Sequence, residues 1–218
     1  MGMSYLTIAA DGEAEIEVKR SRFRCTLERV ADEDAARALV ERLRKQHWDA
    51  RHHCSAFRIG APPQPVERSN DDGEPAGTAG APMLEVLRGY PPSGSGEGVS
   101  DVAAVVTRWF GGVLLGTGGL ARAYADAVRT ALDEVGTLRR ELLRDYTLTV
   151  AYDAAGRLET ELRSAGVAVL GTAYDAEVTL RIGAAPDDAP RLQALVAELT
   201  AGGSTLVPGG EHWVDVGL

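Results

Sequence analysis

The chain changes its hydrophobic rhythm several times, and each change marks an element. Residues 13–29, EAEIEVKRSRFRCTLER, alternate apolar and polar positions in patches. That pattern predicts two strands with a bend near Arg20–Ser21. DEDAARALVERLRKQHW then shifts to a helical period. Asp32 or Asp34 suits its N-cap, Ala35, Leu39, Leu43 and, less strictly, Trp48 form its apolar stripe, and basic residues gather near its C-terminal end. HHCSAFRIG returns to alternation, with His53, Ser55, Phe57 and Ile59 on one face and His52, Cys54, Ala56 and Arg58 on the other. Residues 60–81 read as a loop region, APMLEVLRG as a short helix, and PPSGSGEGVS as a connection. DVAAVVTRWF predicts a buried strand, because Val102 to Val106 is a continuous apolar run. A helix over 117–135 follows, with Leu120, Tyr124, Val128, Ala131, Leu132 and Val135 inward. Arg122, Asp126, Arg129 and Asp133 lie outward at spacing that suits i,i+4 pairs.

Composition shifts at GTLRREL, residues 136–142, which sets a boundary between a domain at 1–137 and a domain at 138–218. The second part reads strand 143–152, helix 154–165, strand 167–173, strand 176–184, helix 187–200 and strand 204–216. Gly166 stands where a helix C-cap glycine belongs, and PDDAPRLQALVAEL opens a helix with Pro and Asp. The order βαββαβ is the ferredoxin-like arrangement, which hosts many functions. No catalytic grouping stands out in this half.

The 218 residues are 44% hydrophobic and 25% charged, ordinary for a globular protein. No window approaches the roughly 18 apolar residues of a membrane span. The stretch MGMSYLTIAADGEAE has neither a basic n-region nor a long apolar core, so a cytoplasmic location and no membrane partner are expected. The formal charge of −9 argues against tight nonspecific duplex binding. Basic residues nevertheless cluster in KRSRFR (Lys19, Arg20, Arg22, Arg24) and in RLRKQHWDARHH, residues 42–53. Cys25 and Cys54 fall in predicted strands and match no metal spacing, so buried free thiols are expected.

Two motifs bear chemistry. In RSNDDGEPAGTAGAPML, Asp71, Asp72 and Glu74 lie within four residues beside several glycines. Oxygen ligands that close suit a hard cation, but the spacing is not that of a calcium loop. A turn-rich loop whose Asn and Asp side chains satisfy their own backbone is the preferred reading from residue chemistry alone. In TRWFGGVLLGTGGLARAY, Thr117, Gly118 and Gly119 open the 117–135 helix, where free N–H groups and the positive dipole end favour an anion. Arg108 and Arg122 flank this start and suit charge-assisted contacts. The glycines match neither the dinucleotide nor the P-loop fingerprint. Tight turns and close packing explain them equally well, with Arg108 or Arg122 then pairing with Asp71, Asp72 or Glu74. No nucleophile is framed by a recognisable motif, and His52 and His53 point to opposite faces, so they do not chelate one metal. No catalytic residue, metal site or cofactor is assigned.

These two motifs resemble the IMPACT/YigZ family. The telling stretches are SNDDGEPAGTAGAPML followed by DVAAVVTRWFGGVLLGTGGLARAYADAV, with KRSRFRC and HHCSAFRIG matching earlier segments. The resemblance covers essentially the whole chain. It implies an α+β protein of two domains: an N-terminal IMPACT domain with the ribosomal protein S5 domain-2-like sandwich, and a ferredoxin-like domain resembling the last domain of elongation factor G. Eukaryotic members regulate translation through a protein partner but lack this second domain, so that partner is not carried over. The expected function is a non-enzymatic, translation-linked regulator that binds RNA or a ribosomal surface. The alternatives are a nucleotide or metal–phosphate site, with or without catalysis, built from loops 71–74 and 116–119, and a protein-interaction module. The oligomeric state is open.

Overall fold

The computed structural model describes residues 3–91 and 98–216; most of the PPSGSGEGVS connection lies outside the described residues. The chain divides into two compact units, Tyr5–Arg139 and Arg140–Val216.

In the first unit, β2 (Gly12–Val18), β3 (Ser21–Arg29), β4 (His52–Ile59), β5 (Val66–Asn70) and β6 (Val102–Trp109) form one sheet in the order β2-β3-β6-β4-β5. Every neighbouring pair is antiparallel. α1 (Glu33–Gln46) lies on one face, and α2 (Gly80–Gly89) and α3 (Thr117–Val135) on the other. Phe23, Cys25, Cys54, Ala104 and Val106 pack against Met83, Leu87, Tyr124, Val128 and Leu132. Phe57, Ala103 and Val105 pack against Ala36, Leu39 and Leu43. β6 is therefore covered on both sides, which is why its sequence is an unbroken apolar run rather than an alternation.

Local chemistry sets the ends of these elements. The Asp32 carboxylate accepts the Ala35 N–H at 2.8 Å, making it the N-cap of α1. The turn between β2 and β3 consists of Lys19 and Arg20, with φ of 49° and 66°. Both central residues are thus left-handed, as in a type I′ hairpin, although that turn favours Asn-Gly. Gly111 explains part of this arrangement. A Cβ there would lie 2.0 Å from the Arg20 carbonyl carbon, so only glycine lets the two backbones meet.

Three readings need correction. The 60–81 loop contains β5, an edge strand with a single apolar residue and mostly exposed positions; an edge held by backbone pairing to β4 leaves no hydrophobic period to detect. Trp48 is not on the buried stripe of α1: it lies beyond the helix and is 83% exposed, while Ala36 rather than Ala35 takes the fully buried position. On the outer face of α3, Arg129 pairs with Asp126 at i,i+3, and Asp133 accepts the Tyr90 hydroxyl at 2.8 Å. A further strand, β1 (Ser4–Ile8), precedes the sequence-predicted set, with Tyr5 and Ile8 buried.

In the second unit, β7 (Thr137–Val150), α4 (Tyr152–Ser164), β8 (Ala168–Tyr174), β9 (Val178–Ala184), α5 (Ala189–Leu199) and β10 (Leu206–Val216) follow the expected βαββαβ order. The strands lie in the order β10-β7-β9-β8, the spatial arrangement of the split βαβ fold. Alternate residues Tyr146, Leu148 and Val150 and Val178, Leu180 and Ile182 face Leu158, Leu162, Leu192 and Val196 of the helices. Gly166, at φ 79°, ends α4. The bonds Val167 N–H to Leu162 C=O and Gly166 N–H to Arg163 C=O complete its Schellman cap. No helix among the described residues is long and apolar enough to cross a membrane.

Candidate functional site

The acidic loop after β5 sends its three carboxylates in different directions. Asp71 turns into the start of α2: Oδ1 accepts the Ala79 and Gly80 N–H groups at 3.0 and 2.8 Å, and Oδ2 accepts that of Gly77 at 2.8 Å. Burial pushes the Asp71 carboxyl up, but the three backbone donors outweigh it and hold the group below its ordinary value. Asp72 accepts the His53 N–H at 2.6 Å and pairs with Arg44 at 2.7 Å. Glu74 turns inward, its side chain only 4% exposed, toward Arg108 and the Tyr124 hydroxyl, the latter at 2.8 Å. The three carboxylates therefore form no common oxygen cage. Among the described residues no group of three or more His, Cys, Asp or Glu side chains is placed to hold a metal ion.

Arg108 projects from the end of β6 between Phe23 and Phe110, 5.3 and 5.7 Å from their ring centroids. It is 6% exposed. Its Nη1 bonds Glu74, while Nε has no partner among the described residues. His52 is the cross-strand neighbour of Arg108. Its Nδ1 donates to the Asp72 carbonyl at 2.8 Å, which turns Nε2 toward Glu74, 3.9 Å away. These groups and the start of α3 enclose a cavity of about 420 Å³, lined also by Arg51, Thr117 and an apolar wall that includes Phe110 and Leu115. Gly118 and Gly119 lie in the first turn of α3. Arg122 is exposed and does not line the cavity.

The neighbouring thiol is buried. Cys54 lies 2.9 Å from the Asp71 carbonyl and 3.3 Å from the Tyr124 hydroxyl. Burial pushes its thiol up to about 12, so it stays protonated at neutral pH. Cys25, fully buried and free, is also pushed up by desolvation.

On the α1 face of the sheet the arginines of the first basic cluster and the His47–Asp49 turn meet at Trp109. Arg22 is the cross-strand neighbour of Trp109, and its guanidinium lies 4.5 Å from the indole centroid, with Arg24 at 5.7 Å. From the 42–53 segment, His47 meets the same ring edge-on at 5.3 Å, and Asp49 accepts the indole N–H at 2.9 Å. Trp48, between those two residues, is left largely in solvent. Glu15 pairs with Arg24 at 3.0 Å and lies 3.7 Å from Arg22. Lys19 and Arg20 extend the row at the hairpin tip. The spacing puts Trp48, less strictly, on the apolar stripe of α1; the signal against that is its position two residues beyond the helix, inside a run of charged and His residues.

Residues 19–132 match the Impact N-terminal domain, and residues 148–202 match a domain of unknown function, DUF1949. The chain belongs to the IMPACT family. It is 39% identical to the IMPACT family member YvyE of Bacillus subtilis over 94% of this chain and 91% of that protein. It is equally similar, 39%, to the IMPACT family member YigZ of Escherichia coli, over 94% and 97% of the two chains. A solved structure described as that of an hypothetical protein is 38% identical, with a TM-score of 0.61 over 95% of this chain and 98% of that one.

Proposed function

We propose that this IMPACT-family protein is a non-enzymatic, translation-linked regulator that binds single-stranded RNA on the Trp109 face of its first unit. The observation that carries this reading is the pair of guanidinium groups, Arg22 and Arg24, gathered at one indole ring that His47 meets edge-on. Single-strand binders combine cations that track the backbone with aromatic rings on which bases stack. Here Lys19, Arg20, Arg22 and Arg24 supply the cations and the exposed Trp48 the free aromatic face. The hairpin tip adds a second reason. Lys19 and Arg20 occupy left-handed backbone that most residues avoid, and strain retained at two adjacent cations points to a role for them. The formal charge of −9 confines nucleic-acid contact to such a local patch.

Cosedimentation with ribosomes and RNA from lysate, across a salt series and with nuclease controls, tests the proposal. Association that weakens with salt and disappears with nuclease is expected. Association that survives nuclease identifies a protein partner instead and overturns the RNA reading, as does no association at low salt.

A further inference from the structure

Trp48 is the most exposed large apolar side chain among the described residues, at 83%. Burying an indole is strongly favourable, so its neighbours must account for its place in solvent. We propose that Asp49 and Trp109 are positioning residues, an inference that rests on the RNA-binding reading of this face. Their hydrogen bond pins the 47–50 turn and holds Trp48 outward as the ring that takes a base.

The turn is short and tied at both ends. His47 caps α1, its N–H donating to the Leu43 carbonyl at 2.9 Å. The Ala50 N–H donates back to the His47 carbonyl at 3.0 Å, which closes a turn with Trp48 and Asp49 at its centre. β4 then begins at His52, the cross-strand neighbour of Arg108, so the turn passes the end of β6 where Trp109 stands. The residues on either side of Trp48 both reach that indole. The His47 ring meets it edge-on at 5.3 Å, and the Asp49 carboxylate accepts its N–H at 2.9 Å across 60 residues of sequence. With its two neighbours directed at Trp109, Trp48 is the residue turned away.

Trp109 itself has little free surface to offer a base. It is half-buried, and the Arg22 and Arg24 guanidinium groups lie 4.5 and 5.7 Å from its centroid. It is the ground on which the turn stands, and stacking falls to Trp48. The chemistry of Asp49 points the same way. A carboxylate repels a phosphate backbone, and among the described residues Asp49 has no cation beside it: its side chain bonds only Trp109. The turn uses its acceptor oxygen, not its charge. A ring held in place before binding raises affinity, because less ordering remains to be done on association.

The test pairs NMR relaxation of the Trp48 backbone amide in the full chain, without RNA, with anisotropy of a labelled single-stranded oligoribonucleotide. In the intact protein the amide should have an order parameter of about 0.85, falling below about 0.6 in Asp49→Ala and in Trp109→Phe, which keeps a ring but loses the donor. RNA affinity should fall about two- to tenfold in both variants, with the salt slope unchanged because no cation is removed. Asp49→Asn removes the same charge as Asp49→Ala and keeps an acceptor, so it should restore both the order and the affinity. In a Trp48→Ala background, Asp49→Ala should cause no further loss, because no ring is left to position. An ordered Trp48 amide in Asp49→Ala overturns the proposal. So does an affinity loss that persists in the Trp48→Ala background, or an Asp49→Asn protein as weak as Asp49→Ala. No RNA binding by the intact chain overturns it together with the RNA reading, whereas binding that Asp49→Ala leaves unchanged overturns this proposal alone.

Discussion

Replacing Lys19 with Asn and Arg20 with Gly should make the protein more stable and a weaker RNA binder at once. Both residues sit at positive φ, and left-handed backbone costs roughly 1–2 kcal/mol at a residue with a Cβ. Asn and Gly are the pair that a two-residue type I′ hairpin favours. Glycine returns about 0.5–1 kcal/mol of the gain through the greater freedom of the unfolded chain. A net stabilisation of about 1–2 kcal/mol is expected for the double variant. The close approach of Gly111 is to the Arg20 backbone, so it survives the change. Binding moves the other way. Four cations, each neutralising one phosphate of a single strand, give a slope of log K against log salt of roughly −3, and the remaining Arg22 and Arg24 about half of that. Urea unfolding followed by tryptophan fluorescence in a Trp213→Phe background measures the first effect, because Trp48 and Trp109 both lie in the first unit. Anisotropy of a labelled oligoribonucleotide across a salt series measures the second. A loss of stability would refute the assignment of strain to the turn, and an unchanged slope would refute phosphate contact by Lys19 and Arg20.

Other consequences concern the supports of the site. Asp71→Ala strands the Ala79 and Gly80 N–H groups, both at buried positions, and should cost about 2–6 kcal/mol at roughly 1–3 per donor. Asp71→Asn keeps an acceptor and should cost less than half of that; urea midpoints for the two variants decide. Since the folded Asp71 carboxyl lies below its ordinary value, its contribution is present above the unfolded value and is lost as pH falls through the folded one, a dependence that Asp71→Asn should remove. Burial holds His53 below its ordinary value, with Asp72 opposing. The neutral ring is thus favoured in the fold, and stability from it is complete above about 6.5 and declines as pH falls below that; His53→Gln should flatten the decline in urea midpoints measured from pH 7 to 5. Gly111→Ala places a Cβ 2.0 Å from backbone and should lose at least about 1–3 kcal/mol, as overpacking does, visible as a lower Tm.

The sequence read most clearly where one periodicity ran undisturbed. The bounds of α3, the doubly buried β6 and the βαββαβ order of the second unit all follow from apolar spacing and cap residues. β5 escaped because its register is set by pairing with β4 rather than by burial. Trp48 departs from its predicted position because its spacing continues the α1 stripe after the helix has ended at Gln46. The site was legible as ingredients and not as an arrangement. That Arg108 takes Glu74, and not Asp71 or Asp72, depends on the loop: the first aspartate is consumed by three amides and the second by His53 and Arg44. The meeting of Arg22 with Trp109 is a consequence of β3 pairing with β6 across 87 residues of sequence, and no local pattern encodes that strand order.

The Trp109 face is proposed to bind single-stranded RNA through cations and a stacked base. The most direct measurement is fluorescence anisotropy of a labelled single-stranded oligoribonucleotide with the intact chain and with Trp48→Ala, from about 50 to 200 mM salt. A slope near −3 for the intact chain is expected, with a loss of about 1–3 kcal/mol in Trp48→Ala at every salt concentration, the worth of one base–aromatic stack. No binding at low salt, or binding that Trp48→Ala leaves unchanged, would contradict it.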